Sequence, residues 1–272
     1  MRRFLSPKGI VGLVLVGLMV AVAVISPLLI PDDLANRMTM TARLSPPSLA
    51  FPLGTDQLGR DLLMRVMLGA RTSLGIAAAA VAMSLAVGLP LGLVSGYFGG
   101  RLDNLLMRLV DTLLSFPALL LALTISAVLG PSVRNTVIAI GVAFTPFLAR
   151  IIRGEAQRVA AMPYVEAARA AGGTHLTMLV RHILPNVVPA VIVQGTISLA
   201  FAILAEAGLS FLGLGTQPPA ASWGLMIQAS RDYLDRGPWT GLVPGAAVAL
   251  TVLGLNMLGD VLRDALDPRS AR

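Results

Sequence analysis

The chain contains no cysteine, which excludes disulfides, thiolate metal sites and a cysteine nucleophile. Charge is also scarce, at 13% of 272 residues, against about 25% in an ordinary soluble domain. Lysine occurs once, at Lys8, and no glycine-rich phosphate loop precedes it. A P-loop needs a lysine to reach the β- and γ-phosphates, so this chain is not a P-loop ATPase by itself. No Ser/His/Asp constellation, HExxH pattern or DxD-type acidic cluster stands in the sequence, leaving no catalytic residue and no metal ligand set to name. Aromatic residues make up only 5%. The net charge of +7 comes from arginine clusters between apolar runs, a pattern of topology-setting charge and not of nucleic-acid binding.

What is abundant is apolar surface. Hydrophobic residues make up 56% of the chain and its mean hydropathy is +0.80, whereas soluble domains are about 45–50% apolar. A water-soluble core of this size cannot hide the excess, so the solvent for it is lipid. A membrane helix needs roughly 20 mostly apolar residues, and about six runs are read as spans: from near Ile10 to Ile30, Ser73 to Val94, Leu109 to Gly130, the shorter Asn135 to Leu148, Val187 to Leu209, and Leu242 to Leu262. The expected fold is therefore an all-α integral membrane protein. The first run follows Arg2, Arg3 and Lys8 as a signal peptide does. Its length exceeds the roughly 7–15 residues of a signal h-region, so an uncleaved anchor is expected.

Arginine placement gives the orientation. With an inside amino terminus, Arg2, Arg3, Lys8, Arg101, Arg108, the 150–181 loop, Arg263, Arg269 and Arg272 are cytoplasmic, as the positive-inside rule asks. The opposite side receives Arg134, the Arg231–Arg236 stretch and the 31–71 segment, whose arginines are partly balanced by Asp32, Asp33, Asp56 and Asp61. Both termini are thus placed in the cytoplasm. Leu58, Leu62, Leu63, Val66 and Met67 recur at helical spacing within 55–74. That pattern favours a helix lying on the outer leaflet or on its own bundle over a platform that receives an external protein, although periodicity alone does not separate the two.

The inner loop between the fourth and fifth runs, 151–185, carries the clearest punctuation. Pro163 suits the first helical turn, Glu166 complements the macrodipole there, and Gly172-Gly173 supply a stop. Between them lie Ala167, Ala168, Arg169, Ala170 and Ala171. The product is a short helix of small residues outside the membrane, either a docking element or a simple connector. As a docking element it would let a partner approach closely, with Arg158 and Arg169 available to its acids.

Glu166-Ala167-Ala168, then Gly172, then Ile183-Leu184-Pro185 resembles the EAA loop of binding-protein-dependent ABC importers. That family usually has isoleucine two residues before the leucine; His182 stands there in this chain. Arg181-His182-Ile183-Leu184-Pro185-Asn186 is similar to the form found in the dipeptide/oligopeptide/nickel permeases, specifically their second, C-type, subunit. Leu53–Asp61, Ser210–Gly215 with Pro218-Pro219 and Ser222-Trp223-Gly224, and Asn256–Pro268 resemble further segments of that subfamily in the same order.

The resemblance implies an importer type I-like permease fold in a bacterial inner membrane. It also implies a homologous permease as heterodimer partner, two cytoplasmic ATPases that bind ATP and Mg²⁺, and an external substrate-binding protein. Residues 1–71 form an anchor helix and outer segment, and residues 72–272 a permease core. ATPase coupling falls to Glu166, Ala167, Ala168, Arg169, Gly172, Ile183, Leu184 and Pro185. The alternatives are a stand-alone secondary transporter or channel, for which no inverted repeat or midplane polar cluster is evident, and an importer of nickel or another non-peptide solute.

Two carboxylates, Glu206 and Asp111, are candidates for the substrate path because acids within membrane spans are costly. Both are expected near a wet boundary. His175 and His182 lack metal-ligand spacing and are expected to make ordinary polar contacts. Asp260, Arg263 and Asp264 are expected to fix the last helix at the inner surface, and Pro90, Pro117 and Pro146 to kink spans.

Overall fold

The computed structural model describes residues 6–266; Arg2, Arg3, Asp267, Pro268, Arg269 and Arg272 lie outside them. Helix follows helix: α1 Pro7–Leu29, α2 Asp32–Ala35, α3 Leu62–Phe98, α4 Gly100–Leu114, α5 Ala118–Leu129, α6 Val133–Ala160, α7 Pro163–Ala170, α8 His175–Thr177, α9 Leu184–Phe211, α10 Trp223–Ser230 and α11 Trp239–Leu266. A π-turn, Met178–Ile183, joins α8 to α9. No named strand occurs among the described residues, only one isolated bridge between Thr55 and Asp61. Five helical stretches are long and apolar enough to cross a membrane, and α4 with α5 forms a sixth if the bent pair counts as one span.

Two expectations need correction. The amphipathic 55–74 stretch is not a separate surface helix. Residues 55–61 form a turn in which Asp56 accepts from the Leu58 and Arg60 amides and pairs with the Arg60 guanidinium at 2.6 Å. Asp61 then caps α3 by accepting from Leu63 and Met64, and the helix runs unbroken for 37 residues through the second span. Nothing near Ser73 stops it, since the next backbone break is Gly99 at φ +62°.

The third apolar run is not a single kinked helix. It breaks at Ser115-Phe116-Pro117, and α4 and α5 are bent by 82°. Proline disfavours helical geometry in the residue before it, here Phe116. The Thr112 carbonyl, left over because the Phe116 amide turns to Leu113 O, accepts from the Ser115 hydroxyl at 2.7 Å. Pro90 and Pro146, by contrast, lie within continuous helices.

In lipid, helices associate through close packing of small residues because burying apolar surface from lipid gains little. The closest packing here joins α3 to α6. Gly88, Gly92 and Gly96 recur every four residues and so share one face of α3. A Cβ at Gly92 would lie 2.7 Å from the Ala149 carbonyl oxygen, and one at Gly96 2.6 Å from that of Arg153. Ser84 adds a hydrogen bond to the Gly141 carbonyl at 2.8 Å. A similar crossing brings Gly12 of α1 against Gly254 of α11. At the end of the bundle away from α7, Trp239 donates to Thr55 O at 3.1 Å and the Arg43 guanidinium sits 5.5 Å from the Tyr233 ring centre, tying the 39–61 segment to the start of α11.

The α3–α6 seam gives a direct test. Gly92→Val should overpack it at a cost of about 1–3 kcal/mol, seen as a lower thermal unfolding midpoint in detergent. Gly17→Val should leave the midpoint unchanged, because nothing lies within 4 Å of a Cβ there. Equal midpoints for the two variants would refute the seam.

Candidate functional site

The segment between α6 and α9 is built from its punctuation. Pro163 opens α7 at its first turn, Glu166 lies in that turn and Arg169 in the last. Gly172 takes φ +87°, donating to Arg169 O, while Gly173 donates to Ala168 O at 3.1 Å. Both glycines stop the helix, but for different reasons. A Cβ at Gly172 meets nothing within 4 Å, so only its backbone angle demands glycine; one at Gly173 would lie 2.3 Å from Met178 Cε.

One side chain fixes α7 to the bundle. Val165 is fully buried, in a cluster with Tyr97, Leu148, Ile152, Val159, Met178, Ile183 and Val187. Glu166, Ala167, Arg169, Ala170, Ala171 and Gly172 are exposed, with Tyr164 beside them. Ile183 is fully buried while Ala168 and Leu184 are half-buried and Pro185 is exposed. The eight expected coupling residues therefore divide into a bared face and an anchor. Pro185 and Pro189 both fall early in the α9 stretch, where each lacks an N–H and crowds the carbonyl four residues back. The π-turn absorbs the misfit of Pro185, whose crowded carbonyl, that of Arg181, lies within it, and Asn186 donates to the His182 carbonyl at 2.7 Å.

Arg169 and His175 both turn back onto Tyr97. The Tyr97 hydroxyl lies 2.8 Å from His175 Nδ1, and the Arg169 guanidinium stands 5.3 Å from the Tyr97 ring centre. The last turn of α7 and the start of α8 are thereby tied to the last turn of α3. Arg158 pairs with Glu155 on its own helix at 2.8 Å.

The two candidate path carboxylates part company. Glu206 is not at a wet boundary: it has no exposed surface. Its Oε1 accepts from Ser210 at 2.7 Å, and the Ser73 and Ser222 hydroxyls act on the same carboxyl group, although Oε2 has no partner at full hydrogen-bond geometry. Each of the three serine oxygens also accepts a backbone N–H, from Trp223 to Ser73, Leu225 to Ser222 and Thr216 to Ser210. That leaves each hydroxyl proton free to face Glu206. Trp223, fully buried, donates from its ring to Val66 O at 3.0 Å. The carboxyl group thus acts as a bolt where α3, α9 and α10 meet, bonded directly to Ser210 and flanked by Ser73 and Ser222, and it lines no open path in this structure.

Asp111 is open, with 55% of its side chain exposed, and it pairs with Arg150 on α6, itself 51% exposed. Next to this pair, Arg153 grips the buried Asp103 through two bonds of 2.5 Å, and Ser95 donates to the same carboxylate. Sequence reading missed Val165, Tyr97 and this arginine cluster. Its only advance signal for the packing was the i, i+4 glycine spacing. A fourth apolar run that ends at Leu148 leaves these arginines in a loop, whereas α6 continues twelve residues further, to Ala160.

Comparison with known proteins places this arrangement. Residues 88–272 match the family described as the inner membrane component of binding-protein-dependent transport systems. A di/tripeptide transport system permease protein of Pseudomonas aeruginosa is 43% identical over 98% of this chain and 90% of its own length. A glutathione transport system permease protein of Pectobacterium atrosepticum is 39% identical over 98% of this chain and 89% of its own. Among solved structures, the methionine ABC transporter MetNI in an inward-facing form aligns with a TM-score of 0.63 at 18% identity, covering 76% of this chain and 98% of that one; that likeness speaks to the fold alone.

The Glu206 bolt is testable. Glu206→Ala removes the acceptor and strands buried hydroxyls, a loss of about 1–3 kcal/mol, so the thermal midpoint should fall and α10 should become accessible to protease. Glu206→Gln keeps an acceptor for Ser210 and should retain most of the stability. An unaltered Glu206→Ala protein would remove the bolt from consideration.

Proposed function

The chain belongs to the family of binding-protein-dependent transport system inner membrane components, as a permease subunit of an ABC importer, and we propose that its cargo is di- or oligopeptides or related small solutes. The named relatives carry di/tripeptides and glutathione, and extended similarity to both supports a peptide-like cargo over nickel. Membership of this family argues against a stand-alone secondary transporter or channel. The protein is a multi-pass membrane component. The arginine distribution supports placing both termini, and with them α7, in the cytoplasm.

The observation that carries the mechanism is the bared face of α7. In this reading Glu166, Ala167, Ala168, Arg169 and Gly172 form the contact with a cytoplasmic ATPase, and Ile183, Leu184 and Pro185 form its hinge-side support. Two such ATPases bind ATP and Mg²⁺ and perform the hydrolysis; a homologous permease completes the conduit; an external binding protein delivers cargo. ATP-driven closure of the ATPases displaces α7. The displacement passes through Val165 and the Tyr97 contacts into the α3–α6 pair, which moves as one body because its backbones touch. The two permeases thereby alternate between inward- and outward-facing states. Such coupling exists only if α7 contacts the ATP-bound and ATP-free partners differently.

Co-expression should bring down ATPase subunits with the permease pair, and proteoliposomes of the whole complex should take up a dipeptide. Gly172→Val forces a β-branched residue into a left-handed backbone angle without meeting any neighbour. Uptake should drop roughly tenfold, equivalent to about 1.4 kcal/mol, while ATP hydrolysis persists. Uptake at the wild-type rate would count against α7 as the coupling element.

A further inference from the structure

Where α4 faces α6 lies a cavity of about 720 Å³ whose polar lining includes Asn104, Arg108, Asp111, Arg150 and Arg153. Its surroundings require it to be wet. α5 alone, at 12 residues, spans about 18 Å, short of the roughly 30 Å hydrocarbon core, and α4 meets it at 82°, so the break between them falls within the depth of the bilayer. A broken helix at membrane depth is tolerated only where it is buried in protein or lines a water-filled cavity, and charged side chains there mark solute pathways. Asp111 and Arg150, each about half exposed, stand at this break and not within the packed bundle.

The charges do not balance. Three arginines line the cavity with one aspartate, Asp111. Arg153 is neutralised from behind by the buried Asp103, which holds two of its nitrogens and so fixes the guanidinium in place. Arg150 is engaged by Asp111 in an exposed pair, the kind worth about 0–1 kcal/mol and readily exchanged. Arg108 is exposed, and among the described residues it has no carboxylate partner. An arginine presents a planar fork that fits a carboxylate.

We propose that this cavity is a transient carboxylate subsite at the cytoplasmic mouth of the conduit, formed by Arg108 and Arg150, with Asp111 as the competing internal anion. The cargo's free carboxylate displaces Asp111 from Arg150, and Asp111 returns to release it. This makes the contact weak enough for cargo to leave, as conduction requires. The assignment rests on the peptide-import reading above. A phospholipid phosphate offers the same anionic chemistry, and the experiment separates the two sources.

The complete complex is held in phosphatidylcholine nanodiscs and treated with phenylglyoxal, an arginine reagent, with mass spectrometry reporting each site. At dialanine of about twice its Kd, labelling of Arg108 and Arg150 should slow roughly threefold by mass action. Arg101 should be unaffected, and dialanine amide, which lacks the carboxylate, should protect neither. In Arg150→Gln, protection of Arg108 should disappear. Equal protection by the amide, or protection that survives Arg150→Gln, overturns the subsite. Labelling already slow in phosphatidylglycerol discs, with no further effect of dialanine, assigns the cavity to a lipid phosphate and overturns it too. Dialanine uptake by the same wild-type preparation stands apart: its absence defeats the import reading, whereas uptake without carboxylate-dependent protection defeats the subsite alone.

Discussion

The architecture depends on one constraint: backbone polar groups in lipid have no water to turn to, so helices must satisfy themselves and hold to each other by contact. The α3–α6 seam is where this constraint acts most strongly. Three glycines remove the α3 side chains from the seam, and any added carbon there would sit 2.6–3.1 Å from α6 backbone oxygens. Dispersion contacts are individually small and fall off steeply with separation, so a seam at this distance is stiff in a way that leucine packing is not. Everything at the α7 end hangs from it. Tyr97 closes α3 one residue after Gly96, and α7 follows α6 after only Ala161 and Met162.

Much of this was legible in residue order. Apolar run length located the five long apolar helices and the bent α4–α5 pair, because the bilayer imposes a length that sequence must meet. Pro163, Glu166 and Gly172 located α7 because those residue types answer local backbone needs that tertiary context cannot change. What escaped was anything set by depth or by partners distant in sequence. A carboxylate in an apolar run reads the same whether it faces water or three serines, so Glu206 and Asp111 were indistinguishable until Ser73 and Ser222, far apart in the chain, were seen to converge. Pro117 reads as a kink because sequence does not reveal whether a neighbouring hydroxyl will support a full break; Ser115 does.

The two arginine-containing regions show how one residue type serves opposite ends. Arg169 spends its charge on the face of an aromatic ring in its own chain, adding to the tether of α7, whereas Arg150 remains paired so loosely that another anion can replace its partner. The difference is one of surroundings: Tyr97 is buried beneath the first, and an open cavity lies before the second. Stiffness and exchange are thus separated within one bundle: in the proposed function the rigid part transmits motion, and in the proposed subsite the wet part handles solute.

The Gly12–Gly254 crossing has a bearing on biogenesis. It joins α1 to α11, which emerges from the ribosome after every other span described. Until then α1 has its α3 contacts but an unfilled flank, and only lipid or the insertion machinery can occupy it. The bundle closes around its circumference only when the last span arrives. Defects in either of these two helices should therefore leave the same wound, an open seam on a protein whose central helix pair is already formed, and quality control would meet them as one class of late-assembly failure.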